Sequence, residues 1–288
     1  MSFKVLSIAA FVSLAASSHA LAQSTSVERG KYLVNSVAAC GNCHTPKDAT
    51  GKEQSDKLLS GGSRVPVPKA IVLSANITPD PETGIGKWTD EQIVTAIREG
   101  VRPDKTIIGP PMPIELYRNM SDDDVRSIVA YLKTVPAVQN KVPRSTYEFQ
   151  VPTSYGPPIT TPVNSPPAGD IVKYGEYLAG PVGHCLACHT GKDTKDPTEE
   201  ELKLRPGTGG RPFGPGGDPT ARNLTPHEEG LKGWSDKEIE TAIRTGVSRD
   251  GTKLKPPMPF YLYQNISDGD IKAIIAYLRS LKPLPTGG

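Results

Sequence analysis

The feature that most constrains this chain is an internal repeat, because most of its sequence occurs in two similar copies. Cys40 lies 145 positions before Cys185, and the two tryptophans, Trp88 and Trp234, are 146 positions apart. The stretches that begin at them, Trp-Thr-Asp-Glu-Gln-Ile and Trp-Ser-Asp-Lys-Glu-Ile, match closely. Two copies of about 110 residues in a chain of 288 predict a duplicated domain, because a stacked solenoid needs more and shorter repeats.

Helical signals recur at matched positions in both copies. A capping-box pattern opens an apolar helical stripe and a glycine closes it. The residues are Thr89, Gln92 and Gly100 in the first copy and Ser235, Glu238 and Gly246 in the second. A last helix is predicted to begin near Ser121 and near Ser267, and a first helix ahead of each cysteine pair. No sustained alternation appears, so we expect mainly α domains with long loops rich in glycine and proline.

Residues 1–22 have the features of a secretory signal peptide. Lys4 precedes an apolar run over residues 5–16, and Ala20-Leu21-Ala22 is a small-x-small cleavage site. The alternative is an uncleaved membrane anchor, although the apolar run is short for a bilayer. We expect export to the periplasm and a mature chain without a transmembrane segment.

The rest of the chain divides at a proline-rich stretch. Residues 136–169 hold eight of the 29 prolines. Such a composition predicts an extended linker with polyproline character, either loose or draped across both domains. The linker separates a first domain at 23–135 from a second domain at 170–288.

The cysteines predict two covalently bound haem c groups. All four lie in two motifs, Cys40-Gly41-Asn42-Cys43-His44 and Cys185-Leu186-Ala187-Cys188-His189. In this motif two thioether bonds hold the haem and the histidine reaches the iron. The alternatives are a four-cysteine zinc site, which would have to join both pairs across the linker, and a thioredoxin-like redox pair, which would need a strand and helix context.

The sixth iron ligands are predicted to be methionines. Met112 and Met258 match within Pro-Pro-Met-Pro, 68 and 69 residues after His44 and His189. Flanking prolines make a stiff loop that presents a thioether, and a thioether raises the haem potential. Met120 is interpreted as a packing residue, and the unmatched histidines, His184 and His227, as surface or loop residues.

Other residues at matched positions are candidates for supporting the haem. Trp88 and Trp234 either pack on the haem edge or donate to a propionate, or they simply fill the core. Asn76 and Asn223 are interpreted as turn residues, with a role near the propionates as the alternative. Arg211, in a glycine-rich loop, is a candidate partner for a propionate.

Together these motifs resemble the class I cytochrome c family, and more closely the cytochrome subunits of bacterial membrane-bound quinoprotein and molybdenum dehydrogenases. The resemblance rests on the two haem motifs, the Asn-Ile/Leu-Thr-Pro stretches, the tryptophan helices and the Pro-Pro-Met-Pro loops, which cover most of both copies. It implies a cytochrome c fold in each domain, His/Met ligation and periplasmic electron transfer. The chain departs from the alcohol dehydrogenase cytochrome subunit in having two haem motifs rather than three.

We therefore expect an electron carrier, or the cytochrome subunit of a dehydrogenase complex, without catalytic residues of its own. The expected donor is a dehydrogenase or another redox enzyme, and the expected acceptor is a soluble cytochrome or a terminal oxidase. The alternative is a dihaem enzyme, such as a peroxidase, which needs an open sixth position, or a thiosulfate dehydrogenase. A formal net charge of +2 gives no sign of a nucleic-acid partner.

Overall fold

The structure is mainly helical. The computed structural model describes residues 26–191, 197–213 and 217–287, so the predicted signal peptide at 1–22 lies outside the described residues. The helices are α1 (26–35), α2 (Gly41–His44), α3 (Asp90–Glu99), α4 (Ile114–Tyr117), α5 (Asp122–Leu132), α6 (Ile171–Tyr177), α7 (Cys185–His189), α8 (Glu199–Leu204), α9 (Asp236–Thr245), α10 (Phe260–Tyr263) and α11 (Asp268–Ser280). A 3₁₀ turn lies at Ser55–Lys57, and a π-helical turn at Leu178–Val182 continues α6.

The order of helices repeats, as the duplicated sequence predicts. Helices α3, α4 and α5 of the first half have their counterparts in α9, α10 and α11 of the second half. Complete capping boxes open α3 at Thr89 and α9 at Ser235, and Gly100 and Gly246 end these helices in the left-handed conformation. Mainly α structure in two similar halves, joined by a proline-rich segment, is confirmed.

Within each half the first helix crosses the last one at a glycine. A β-carbon on Gly30 of α1 would lie 1.8 Å from the carbonyl oxygen of Ser127, which belongs to α5. A β-carbon on Gly175 of α6 would lie 1.8 Å from the carbonyl oxygen of Ala273, which belongs to α11. Only glycine lets the two backbones approach this closely.

The two halves share one hydrophobic core. Buried side chains of α1, such as Leu33 and Val34, belong to the same contiguous cluster as Leu178 and Ile271 of the second half. Because the cluster is continuous, the two halves pack directly on each other around a single core rather than around two separate cores.

A small antiparallel sheet was not predicted from the sequence. Strands β1 (Arg64–Val65), β2 (Ala70–Leu73) and β3 (Thr146–Tyr147) pair in that order, with Val65 opposite Val72 and Ala70 opposite Tyr147. Strand β3 belongs to the proline-rich segment. This part of the segment is therefore fixed to the first half by backbone pairing.

Candidate functional site

The two Cys-x-x-Cys-His motifs form short helices at equivalent places in the halves. The first motif is α2 with Cys40 at its N-cap, and the second is α7. The residue ahead of each first cysteine, Ala39 or His184, has a positive φ of 48° or 43°. This backbone turn lets the chain leave the preceding helix and enter the motif helix at once.

Each motif histidine is held by a backbone carbonyl. His44 Nδ1 lies 2.8 Å from the carbonyl oxygen of Ala75, and His189 Nδ1 lies 2.7 Å from that of Arg222. Such a bond fixes the ring and the tautomer, so that Nε2 is the nitrogen presented to a metal. Burial lowers the pKa of both histidines below the ordinary value, which favours the neutral imidazole that binds iron.

A glycine packs closely against the peptide group whose carbonyl binds each motif histidine. Gly61 has a φ of +73° and Gly209 a φ of +68°. Their nitrogens donate to the carbonyl oxygens of His44 (2.7 Å) and His189 (2.8 Å). A β-carbon on Gly61 would lie 2.4 Å from the Ala75 carbonyl carbon. The histidine is thus fixed through both its ring and its backbone.

The cysteines do not have the properties of a thiol redox pair. The four cysteines are not joined in disulfides, and all are half-buried. Burial raises the pKa of Cys40 and Cys185 to about 12, and it raises the pKa of Cys43 as well. A catalytic thiol needs a lowered pKa, because the thiolate is the nucleophile. Among the described residues no group of three or more His, Cys, Asp or Glu side chains is placed to hold a metal ion.

Met112 and Met258 lie in proline loops immediately before α4 and α10. Both side chains are half-buried and pack against the hydrophobic core. In each loop the peptide bond between the two preceding prolines, 110–111 or 256–257, is cis. An imidazole held by a carbonyl, two cysteines at one short helix and a half-buried thioether form a donor set that fits a covalently attached haem.

The two candidate sites meet at the interface between the halves. Asn42, inside the first motif, donates from Nδ2 to the carbonyl oxygen of Pro257 at 3.4 Å, immediately before Met258. His184, directly ahead of the second motif, packs edge-on against Tyr117 of α4 with 6.0 Å between ring centroids. His184, predicted as a surface or loop residue, lies in the loop position between the π-helical turn and α7, but it is half-buried in this interface rather than on the surface.

The other residues singled out in the sequence make packing and turn contacts, and the haem-supporting role of the tryptophans stays a prediction. Trp88 and Trp234 are half-buried against the core, just before α3 and α9. Met120 is 1 % exposed, in the core. Asn76 Oδ1 accepts from the Thr78 amide at 3.0 Å, and Asn223 Oδ1 accepts from Thr225 at 2.8 Å, which are the bonds of a turn residue.

Two further residues have neighbours that bear on their predicted roles. Arg211 donates from Nη1 to the carbonyl oxygen of Ala187 at 2.7 Å, which ties its loop to the second motif. His227 accepts from the Glu229 amide at 3.2 Å in a loop, in agreement with the prediction of a loop residue.

Sequence reasoning missed the residues that hold the motif histidines. Ala75 and Arg222 act through backbone carbonyls, which no side-chain pattern reveals. The paired glycines 61–62 and 209–210, which recur at nearly the same distance from the two motifs, are the signal that would have found this part of the site. Helix α8 was also missed, although Thr198 and Glu201 form a capping box.

The described residues contain no helix with the length and apolar character needed to cross a membrane. In sequence comparisons, the model of the family described as Cytochrome c matches two segments, residues 27–136 and 174–282. Each match falls on one half of the structure and includes one motif and its methionine.

Individual relatives match along nearly the whole chain. The alcohol dehydrogenase (quinone) cytochrome c subunit of Gluconobacter oxydans is 30% identical, covering 91% of this chain and 56% of the relative. The fructose dehydrogenase cytochrome subunit of Gluconobacter japonicus is 30% identical, covering 91% and 54%. A diheme cytochrome c-type protein of Cereibacter sphaeroides is 27% identical, covering 84% and 82%. The chain thus spans about half the length of the two dehydrogenase subunits.

Proposed function

The chain belongs to the cytochrome c family, which binds haem c covalently, and we propose that it is a dihaem electron carrier of the periplasm. It accepts electrons from a dehydrogenase and delivers them to a respiratory acceptor, either a soluble cytochrome or a terminal oxidase. The signal-peptide features of residues 1–22 support export.

In this proposal each half holds one haem through its own residues. Cys40 and Cys43 attach the first haem, with His44 and Met112 as axial ligands. Cys185 and Cys188 attach the second, with His189 and Met258. A bound haem supplies an iron that takes up or gives up one electron. The carbonyls of Ala75 and Arg222 orient the histidines, while the proline loops present the thioethers.

The observation that carries the proposal is that both motifs lie at one interface. Asn42 of the first motif contacts the methionine loop of the second half, and His184 beside the second motif contacts α4, directly after the methionine loop of the first. Transfer between two haems needs no bond-making residues, only proximity and fixed ligands. Two closed sites across a shared core suit a carrier better than an enzyme with an open iron.

The donor class is supported by the relatives. They include cytochrome subunits of alcohol and fructose dehydrogenases, and a gluconate 2-dehydrogenase cytochrome c subunit matches over 88% of this chain. We propose that this chain receives electrons from a dehydrogenase of this general kind, as a bound subunit or a separate partner.

The first test measures the haem content and the axial ligands of the purified mature protein. We expect two haems per chain from the alkaline pyridine spectrum and the intact mass, and a near-infrared methionine-to-iron band in the ferric protein. The variants Met112→His and Met258→His should each remove part of that band. A ferric protein without the band would refute His/Met ligation at both sites.

The second test is electron transfer. Catalytic subunits of quinone-dependent alcohol and fructose dehydrogenases, each supplied with its substrate, serve as donor probes. We expect them to reduce both haems, and membranes containing a terminal oxidase to reoxidise them. The substrate without its dehydrogenase is the control. Failure of both donors together with steady turnover of hydrogen peroxide would identify an enzyme instead.

A further inference from the structure

We propose that residues 144–163 of the proline-rich segment, here called the strap, hold Met112 on the first haem iron. The strap would act as a positioning element of the first methionine loop, for which the second half uses different contacts. This inference rests on the proposed role of Met112 as an axial ligand, and it adds that Tyr147 and Tyr155 determine how firmly that ligand is held.

Two tyrosine hydroxyls of the strap bind carbonyls of the methionine loop. Tyr147 donates to the carbonyl oxygen of Pro110 at 2.8 Å, two residues before Met112. Tyr155 donates to the carbonyl oxygen of Ile108, also at 2.8 Å. Both tyrosines are half-buried. Because prolines have no amide hydrogen, these carbonyls are among the few backbone groups through which the loop can be hydrogen-bonded.

Glycines allow the tyrosine rings to lie directly on the loop. A β-carbon on Gly109 would lie 2.7 Å from the ring of Tyr147, and one on Gly100 would lie 2.9 Å from the ring of Tyr155. The rings therefore cover the loop as well as binding it. Removing a hydroxyl would leave the packing in place while removing a directed bond.

The strap itself is held to the first half at several points. Strand β3 pairs with β2, and Arg144 forms an ion pair with Asp104 at 2.6 Å. Further along, Arg118 donates to the carbonyl oxygen of Pro157 at 2.5 Å, and the Asp122 amide donates to that of Val163 at 2.9 Å. The strap is therefore a fixed part of the first half.

The second methionine loop differs at the corresponding positions. Lys255 takes the place of Gly109 and pairs with Asp218. The ring of Phe260 covers Gly246, as the ring of Tyr155 covers Gly100. The Pro257 carbonyl accepts from Asn42 of the first half. Among the described residues the strap contacts are thus specific to the first site, and loosening them should leave the second site unchanged.

The consequence can be measured as competition by an external ligand. Imidazole binds ferric iron only in molecules whose methionine has moved away, so its apparent affinity is proportional to the population of that open state. The exchange replaces sulfur by nitrogen on the iron and transfers no electron. Weakening the bonds that hold the loop raises this population.

The test uses Tyr147→Phe, Tyr155→Phe and the double variant of the full-length mature holoprotein. Imidazole is titrated into the ferric protein, and each methionine is followed by its own paramagnetically shifted methyl resonance, assigned with Met112→His and Met258→His. We expect the apparent imidazole affinity of the first site to rise about threefold in each single variant and about tenfold in the double variant, the factor for losing two hydrogen bonds. The second site should keep its affinity within about twofold.

Tyr131→Phe is the matched control, because Tyr131 accepts a bond from Asn35 at 3.1 Å in the same half, outside the strap and the methionine loop. Unchanged imidazole affinity at the first site of the double variant would overturn the inference, as would an equal rise at both sites. If the wild-type protein has no methionine resonance for the first site, the proposed ligation itself fails, which is a different outcome.

Discussion

Tyr32 and Tyr177 occupy equivalent positions in the two halves, and each binds the start of the last helix of the other half. Tyr177 of α6 donates to Asp124 Oδ2 at 2.7 Å and accepts from the Ser121 amide at 3.1 Å. Tyr32 of α1 donates to Asp270 Oδ2 at 2.7 Å and accepts from the Ser267 amide at 3.0 Å. The exchange is reciprocal, so the interface repeats about an approximate twofold relation.

The two carboxylates that accept these tyrosine hydrogen bonds differ in one further partner. Asp124 is 5 % exposed and also forms an ion pair with Arg29 at 2.8 Å. The position equivalent to Arg29 is Tyr174, which lies within 3.5 Å of the Arg29 guanidinium. Each half thus contributes an equivalent tyrosine hydroxyl, and the carboxylate of the first half has the Arg29 guanidinium as an additional partner.

Removing either hydroxyl should weaken the packing of the halves. Tyr177→Phe leaves a buried carboxylate and a helix N-terminus short of one partner each, which costs about 1–2 kcal/mol of unfolding free energy. Tyr32→Phe should cost a similar amount. Denaturant unfolding of the reduced holoprotein measures both. If neither variant lowers the unfolding midpoint, the exchange does not stabilise the fold.

The same hydroxyls should make the fold sensitive to alkaline pH. Burial raises the pKa of Tyr177, and the Asp124 charge raises it further; burial also raises the pKa of Tyr32. In the unfolded chain a tyrosine loses its proton near pH 10, while in the folded protein it keeps it to higher pH. Their contribution is therefore complete below about pH 10 and is lost as the pH rises above it.

The Tyr32→Phe/Tyr177→Phe variant removes that contribution. Its unfolding midpoint should fall less steeply above about pH 10 than that of the wild type. Buried Tyr117 and Tyr263, whose pKa values burial also raises, keep some dependence in both proteins. Equal slopes in the two proteins would contradict the prediction.

The helix crossings at Gly30 and Gly175 predict a second stability effect. An alanine at either position would place a β-carbon 1.8 Å from a backbone oxygen of the facing helix, and a backbone cannot rotate aside as a side chain can. Gly30→Ala and Gly175→Ala should each cost at least about 2 kcal/mol. Gly180→Ala is the control, since nothing lies within 4 Å of its β-carbon position. Thermal unfolding of the three variants tests this prediction. Equal melting temperatures would disprove the tight crossing.

The long helices could be predicted from the sequence because their signals are local. Thr89 and Gln92 cap α3 with their own side chains, and α5 begins directly after its N-cap residue Ser121, as predicted. The haem motifs could also be placed, since spacing and residue types lie within five consecutive positions. These features need no knowledge of the rest of the chain.

What could not be predicted depends on contacts between distant segments. Strands β1 and β3 have two residues each, too few for an alternating pattern. The bond between Tyr147 and Pro110 joins residues 37 positions apart, and nothing around Tyr147 marks its partner. His184 is half-buried and packs against Tyr117 of the other half, a contact that the residues around it do not predict.

Loss of one haem should leave the other attached. The second motif is held by contacts within its own half: the Gly207 amide donates to Thr190 Oγ1 at 3.0 Å, and Arg222 holds His189. We therefore expect Cys40→Ser/Cys43→Ser to retain one haem per chain, and Cys185→Ser/Cys188→Ser to retain the other. Intact mass and the pyridine spectrum give the count. Because the halves share one core, both variants should unfold at a lower denaturant concentration than the wild type. A variant that loses both haems would show that attachment in one half depends on the other.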